Sequence, residues 1–261
     1  MNMQYTLITG ASGGIGLAMA NELAQKGLNL VLVARSKSKL SAIKTELEAT
    51  YKVAVHIYDF DLSDPNNATA LYQATIADGL IINGLINNAG VGVYGDFIET
   101  NLDQELAMMD LNMGSLVSLC KLYGADMAKA GGGRIMNVSS LLAFLPFPYY
   151  SVYSATKAFV QSFSETLAAE LQDKNVVVTA LCPGPVDTGF TTSEMLSTNA
   201  YKANRPIPAS VVGKIGAAHF LNGKGKKVVG FNNWFLSQLP RITPSAIMMR
   251  IKKQLASQQQ A

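Results

Sequence analysis

The chain has 261 residues, 49% of them hydrophobic and 15% charged, enough to bury a large core and short enough for one α/β domain. A formal net charge of +3 with no long block of like charge argues against a nucleic-acid partner, and no stretch approaches about eighteen uninterrupted apolar residues, so no membrane span is expected. Cys120 and Cys182, with His56 and His219, fit neither a disulfide framework nor a zinc motif; a reducing, cytoplasmic setting and no metal site are expected.

The opening MNMQYTLITG carries no positively charged leader before an apolar run, so no signal peptide is expected. YTLITG reads as a strand and the amphipathic stretch 16–26 as the helix behind it. Between them TGASGGIG fits TGxxxGxG through Thr9, Gly10, Gly14 and Gly16, whereas the dinucleotide fingerprint GxGxxG does not fit in its usual form. Glycines let the backbone turn tightly and approach a pyrophosphate, whose charge is favoured by free N–H groups at the positive end of a helix. Gly10, Ser12, Gly14, Ile15 and Gly16 are therefore candidates for holding a dinucleotide; a purely structural turn is the alternative.

The second strand, NLVLVAR, ends on Arg35, where the adenosine ribose lies if the first turn holds the pyrophosphate. A carboxylate there suits NAD and a cation suits the 2′-phosphate of NADP. Arg35 can grip a phosphate with two parallel hydrogen bonds, and Lys39 adds positive field, so NADP(H) is expected and NAD(H) is the lesser alternative. Without a nucleotide, Arg35 is a solvated residue at the entrance of a helix over 38–50. After the third strand, KVAVHIYDF, Asp61 either accepts from an adenine amine or belongs to a local turn with Asp64. A helix over 66–77 leads to the fourth strand, GLIINGLI, and to NNAG. There Asn87 can brace the sheet, while Asn88, Ala89 and Gly90 are small enough for a cofactor to lie close.

The stretch 103–130 reads as one long helix containing Leu111 and Asn112. The fifth strand, GRIMNVSS, ends on two serines that face opposite ways, which makes the choice between Ser139 and Ser140 a real one. In the helix over 152–173, Tyr153 and Lys157 stand four apart and share a face. A free phenol has a pKa of about 10, and a nearby ammonium favours the phenolate. Lys157 is thus expected to lower Tyr153 toward neutral pH, where it would exchange protons efficiently; an ordinary surface pair is the alternative. NVVVTALCPGP, a helix over 209–221 and KKVVGF complete the alternation. The pattern predicts an α/β, Rossmann-type doubly wound parallel sheet with ligands beyond the carboxyl ends of its strands. Residues 1–231 form the dinucleotide-binding and catalytic domain, and 232–261 a short helical appendage, part of the same domain or a lid or interface segment.

In this order TGASGGIG, NNAG, LN at Leu111 and Asn112, NVSS, YSATK and PGPVDT resemble the short-chain dehydrogenase/reductase family over roughly the first 190 residues, in an NADP-preferring form. The resemblance implies an oxidoreductase whose Tyr153 is the general acid for carbonyl reduction, with Ser140 bonding the substrate oxygen and Lys157 also holding the nicotinamide ribose. It assigns Asn112 to a proton relay through water. It selects Ser140, thirteen residues before Tyr153, over Ser139. By the same resemblance Pro183, Gly184, Val186 and Thr188 contact the nicotinamide carboxamide. One departure is Leu142 and Ala143, where the family often has a Gly shortly after its Ser; the loop is bulkier and narrows the pocket.

Leu141, Leu142, Phe144, Leu145, Phe147 and Tyr150, with Val91, Val93, Tyr94 and Phe190, suggest an apolar cleft for a small hydrophobic ketone, aldehyde or alcohol. The family implies a homodimer or homotetramer through its long central helices, with Leu106 to Leu122 apolar enough to take part. In the last helix Ile247, Ile251 and Leu255 alternate with Arg250, Lys252 and Lys253. Such a helix could cover the pocket, meet a second subunit or lie on an anionic membrane surface, although membrane association is not expected. Three other readings stand beside the reductase: a non-catalytic NADP-binding regulator, a membrane-surface lipid carbonyl reductase, and an epimerase or dehydratase of related fold.

Overall fold

The computed structural model describes residues 3–189, 205–241 and 243–256. Strands β1 (Gln4–Thr9), β2 (Asn29–Val33), β3 (Val55–Tyr58), β4 (Ile81–Asn87), β5 (Gly133–Val138), β6 (Val176–Cys182) and β9 (Gly225–Val228) form one parallel sheet in the order β3-β2-β1-β4-β5-β6-β9. A two-stranded pair, β7 (Val186–Asp187) and β8 (Ile207–Pro208), lies beyond β6 in sequence. Consecutive residues of the inner strands point to opposite faces, and both faces are covered. Ile8, Leu32, Ile86 and Leu181 join one apolar cluster, while Leu7, Val31, Leu85 and Val178 join the other. That is why these strands read as continuous apolar runs.

The first cluster is closed by α1 (Gly14–Gln25), α2 (Lys37–Tyr51) and α7 (Ala209–Asn222) through Met19, Leu23, Leu40, Val212 and Phe220. The second is closed by α3 (Asn67–Ala77), α5 (Leu116–Lys129) and α6 (Ser151–Leu171) through Leu71, Leu119, Tyr123 and Val160. Full burial of each such side chain contributes roughly 1.5–3 kcal/mol, so the two layers fix the sheet firmly. Helices α1 and α7 pack closely because Gly213 lacks a side chain: a Cβ there would stand 2.5 Å from that of Ala18.

The stretch read as one helix over 103–130 is divided. An α-helix, α4 (Leu102–Met109), passes through a π turn at Asp110–Ser115 before α5 begins. The extra residue of a π turn redirects side chains, and such turns occur often at functional sites. Here Asn112 lies inside it and is fully buried. Two further helices follow the sheet, α8 (Phe231–Gln238) and α9 (Ser245–Ala256). The strand order reverses between β2-β1 and β4-β5, which opens a crevice past Thr9 and Asn87, where ligands of this architecture sit.

Candidate active site

Thr9 and Asn88 tie the two sides of that crevice together. The Thr9 hydroxyl accepts from the backbone N–H of Asn88 at 3.0 Å and of Ala89 at 2.9 Å. The Asn88 amide donates to the carbonyls of Thr9 at 2.9 Å and Gly10 at 3.2 Å. Gly10 takes a φ of 65°, and a Cβ on it would press on Asn88 Nδ2 at 2.8 Å; Gly14 takes a φ of 54° and faces Thr188 Cγ2 at 3.1 Å. Both positions demand glycine. Gly13 has open space around it, and α1 starts there without a side-chain cap. The uncapped first turn, with Ile15 and Gly16 behind the half-buried Ser12, offers backbone N–H groups to an anion. This glycine cradle, which a side chain would fill, fits a dinucleotide pyrophosphate.

At the far side, Arg35 is exposed immediately after β2, and Ser36 caps α2 through the N–H of Lys39, itself exposed. Asp61 follows β3. Its Oδ1 accepts from the Ser63 N–H at 3.0 Å and the Ser63 hydroxyl at 2.7 Å, and its carbonyl accepts from the Asp64 N–H at 3.2 Å. Asp61 thus forms a local turn with Ser63 and Asp64. Burial pushes this carboxyl up, but the bonds from Ser63 and the field of Arg35 outweigh it and hold the group below its usual range. Arg35 and Asp61 thus stand near each other at one end of the crevice.

Tyr153, Ser140 and Lys157 meet past the ends of β5 and β6, all buried. The two serines separate cleanly. Ser139 donates to the Lys157 carbonyl at 2.8 Å and serves the packing of α6 on β5, whereas Ser140 hydrogen-bonds Tyr153. The bulky Leu142 contributes here as well: the loop folds into a 3₁₀ turn, Leu141–Ala143, and the Leu142 N–H donates to Ser140 Oγ at 3.1 Å. Lys157 Nζ donates to the Val138 carbonyl at 3.0 Å and lies 5.8 Å from the centre of the Tyr153 ring. A Cβ on Gly90 would stand 3.3 Å from that nitrogen, so NNAG passes beside the ammonium as expected of a cofactor-lining segment.

The titration behaviour differs from the sequence expectation. Burial pushes the Tyr153 phenol up to about 12, with the Ser140 hydrogen bond pulling the other way. Burial also pulls Lys157 down to about 8. Desolvation disfavours every charged form, and in so closed a site it exceeds what an ammonium across the ring returns. Spacing on a helix could supply the partner but not the depth.

The Asn112 amide is spent on protein. It accepts from the Val91 N–H at 3.1 Å and donates to the Val91 carbonyl at 3.0 Å and to Thr156 Oγ1 at 3.1 Å. Its side chain positions the segment after β4 against α6. Asn87 takes the structural role: it donates to Asn137 Oδ1 at 2.9 Å, and Asn137 donates to Ser164 Oγ at 2.9 Å. Pro183 accepts from the Leu141 N–H at 2.7 Å, which ties its loop to the Ser140 turn; Val186 is core.

Two residues near the site carry no sequence signal. Asn233 of α8 is buried against Gly184, where a Cβ would meet its Nδ2 at 2.5 Å, and it donates to the Val229 carbonyl at 2.8 Å. Tyr149 takes a φ of 65°, unusual for an aromatic residue, and its carbonyl accepts from Gly95 at 3.0 Å. The Tyr150 ring lies 4.9 Å from that of Tyr94 and 6.3 Å from that of Tyr153. Of the residues assigned to the apolar cleft, Leu141 and Leu145 are core, Val91 is exposed, Leu142, Val93, Phe144 and Phe147 are half-buried, and Phe190 lies outside the described residues.

A hollow of about 550 Å³ beside Ala125, Lys129, Asp173 and Asn175 lies at the opposite end of the sheet and gathers no catalytic set. Among the described residues no cluster of His, Cys, Asp and Glu could hold a metal.

The sequence model of the short chain dehydrogenase family matches residues 4–198. Human 17-beta-hydroxysteroid dehydrogenase type 3 is 37% identical over 200 residues, 75% of this chain and 63% of that protein. The chain therefore spans under two thirds of that relative. Very-long-chain 3-oxoacyl-CoA reductase of Anas platyrhynchos is 31% identical over 259 residues, covering 96% of this chain and 80% of that protein. Among solved structures, a short-chain dehydrogenase from Sphingobium yanoikuyae in complex with NADPH superposes with a TM-score of 0.78 at 26% identity, over 94% of this chain and 97% of that one. With its glycine cradle, its Ser140–Tyr153–Lys157 cluster and these matches, the chain belongs to the short-chain dehydrogenase family, whose members are oxidoreductases acting on CH–OH groups.

Proposed function

We propose that this protein is an NADP(H)-dependent oxidoreductase that reduces the carbonyl of a small hydrophobic ketone or aldehyde and oxidises the alcohol in reverse. The observation that carries the reading is the burial of Ser140, Tyr153 and Lys157 together at the strand ends, beside the glycine cradle. NADPH, when bound, supplies the hydride. Gly10, Ser12, Gly14, Ile15 and Gly16 would hold its pyrophosphate, Arg35 its 2′-phosphate and Asp61 the adenine side. Asn88, Ala89 and Gly90 would line its middle, and Pro183, Gly184, Val186 and Thr188 the nicotinamide end. The NADPH complex of the Sphingobium relative supports the cofactor choice.

The side chains divide the work. Tyr153, kept protonated by burial, hands its proton to the carbonyl oxygen, and Ser140 donates to that same oxygen and fixes its direction. Lys157 would hold the ribose and return a proton to Tyr153, which its lowered affinity for that proton eases. Asn112 is a positioning residue through Val91 and Thr156. The half-buried Tyr94, Phe144, Phe147 and Tyr150 favour an apolar substrate, as do the two relatives, a 17-beta-hydroxysteroid dehydrogenase and a very-long-chain 3-oxoacyl-CoA reductase.

The exposed Leu102, Leu106 and Met109 of α4 and Phe159 of α6 support pairing of two copies into a homodimer, or a homotetramer with a second interface. The free, buried Cys120 and Cys182 support a reducing, cytoplasmic setting. The deciding experiment is NADPH oxidation with a panel of hydrophobic ketones and aldehydes, with Tyr153→Phe as control. Loss of about 10²–10⁴ in kcat with NADPH binding retained is the expected result. Equal turnover by the variant would remove Tyr153 from the reaction.

A further inference from the structure

Helix α8 faces the wrong way for a surface helix. Asn233 and Ser237, four apart, are each 3% exposed and face the protein, while Phe231, Trp234 and Phe235 stand 77%, 50% and 55% exposed on the other side. An ordinary amphipathic helix buries its aromatic stripe and wets its polar one. The inversion has a local cause: the Asn233 amide packs against Gly184 and donates to the Val229 carbonyl at 2.8 Å, and Ser237 Oγ donates to the Trp234 carbonyl at 2.6 Å. With the polar face anchored inward, the rings of Phe231 and Trp234 stack on the outside, 5.9 Å apart. Helix α9 adds exposed Ile247 and Met249. A patch of this kind calls for a cover.

Charge says what the cover is. Beyond Glu194 the sequence contains ten Lys and Arg and no Asp or Glu, whereas the preceding residues hold eleven against all eighteen acidic ones. The net charge of +3 conceals this division. Among the described residues, Lys224 and Lys227 are exposed within seven positions of Phe231, and Arg250 and Lys253 are exposed on α9 beside Ile247 and Met249. Two like-charged copies would repel across such a face, and nucleic acid would leave the aliphatic side chains uncovered. Exposed aromatic and aliphatic groups with exposed cations close by in the sequence match the boundary between headgroups and acyl chains.

We infer that the outer face of α8 is a docking surface for an anionic lipid bilayer, entered by Phe231, Trp234 and Phe235, with the exposed Lys224, Lys227, Arg250 and Lys253 supplying attraction to the headgroups. This inference does not rest on the reductase reading. It takes up one of the three readings that the sequence left open for the last helix, the one not expected there, and it concerns attachment to a surface, since no described helix is long and apolar enough to cross a membrane.

Trp234 is the chain's one tryptophan, so its emission reports on the patch directly. Vesicles of phosphatidylcholine with about 30% phosphatidylserine should shift the emission to the blue, and brominated acyl chains should quench it. Both effects should fade in high salt. Phe231→Ser with Phe235→Ser, and separately Arg250→Glu with Lys253→Glu, should each weaken vesicle binding at least tenfold. Retained turnover of a water-soluble ketone would show that these variants are folded; if the chain has no turnover at all, circular dichroism serves. An unchanged emission with anionic vesicles overturns the inference, as does an equal shift with neutral vesicles or with duplex DNA. A shift that follows protein concentration without lipid would assign the patch to a second copy of the chain, and also overturns it.

Discussion

The crevice past β1 and β4 and the face of α8 treat the same rule in opposite ways. At the crevice, an ammonium, a phenol and hydroxyls are taken out of water; on α8, two phenylalanines and a tryptophan are left in it. Each inversion costs stability unless something else compensates. In the first, hydrogen bonds from Lys157 to the Val138 carbonyl and between Ser140 and Tyr153 offset part of the cost, and the remainder appears as displaced proton affinities. In the second, among the described residues nothing covers the rings. The lesson is that residue type points weakly to function, while residue type set against depth points strongly.

The largest expected effect breaks the crevice. Lys157→Met should lower kcat/KM by about 10² or more in steady-state NADPH oxidation, since it removes ribose binding and proton supply at once. Next comes the pH profile. Reduction needs Tyr153 protonated, which a phenol pushed up to about 12 satisfies throughout neutral pH, and it needs the Lys157 ammonium, pulled down to about 8, so its rate should hold from pH 6 to 7 and fall toward pH 9. Alcohol oxidation needs the phenolate, whose fraction rises tenfold per unit below that value, so the rate should climb about 100-fold between pH 7 and 9. A plateau reached near pH 7 would mean that Lys157 prevails over burial after all. Arg35→Ala should weaken NADPH binding by about 10–100-fold, from charge-assisted bonds of about 1.5–3 kcal/mol, and leave NADH nearly unchanged in titration by fluorescence. An equal loss for both would end the phosphate assignment.

A smaller effect tests the frame. Gly213→Leu drives a side chain into Ala18, and overpacking of this sort costs about 1–3 kcal/mol, read as several degrees of melting temperature. Smallest of all, Phe231→Ser with Phe235→Ser should leave soluble turnover and melting temperature close to those of the parent, because exposed rings contribute little to folding. A drop of many degrees would mean that the patch belongs to the core.

Much of the crevice was legible in the sequence because it uses residues whose geometry is local. Glycines at positive φ, a Tyr and Lys one turn apart and a cation at a strand end each announce themselves within a few positions. The choice between Ser139 and Ser140 needed the family resemblance, and the structure supplies its physical ground in the separate partners of the two hydroxyls. The π turn around Asn112 left no mark in the apolar periodicity, since one extra residue per turn barely alters a helical pattern. Asn233 is 49 positions from Gly184, and no local pattern links them.

By itself, then, the sequence determined the order of strands and most helices, the glycine turn and the candidate catalytic residues, because hydrophobic periodicity, backbone freedom and motif order act over short spans. Depth was decided only by the tertiary structure. How far Tyr153 and Lys157 sink from water sets their proton affinities, and which side of α8 faces the protein sets what the tail presents. Both follow from contacts between segments distant in the chain, and desolvation depends on everything packed around a group rather than on its neighbours in sequence.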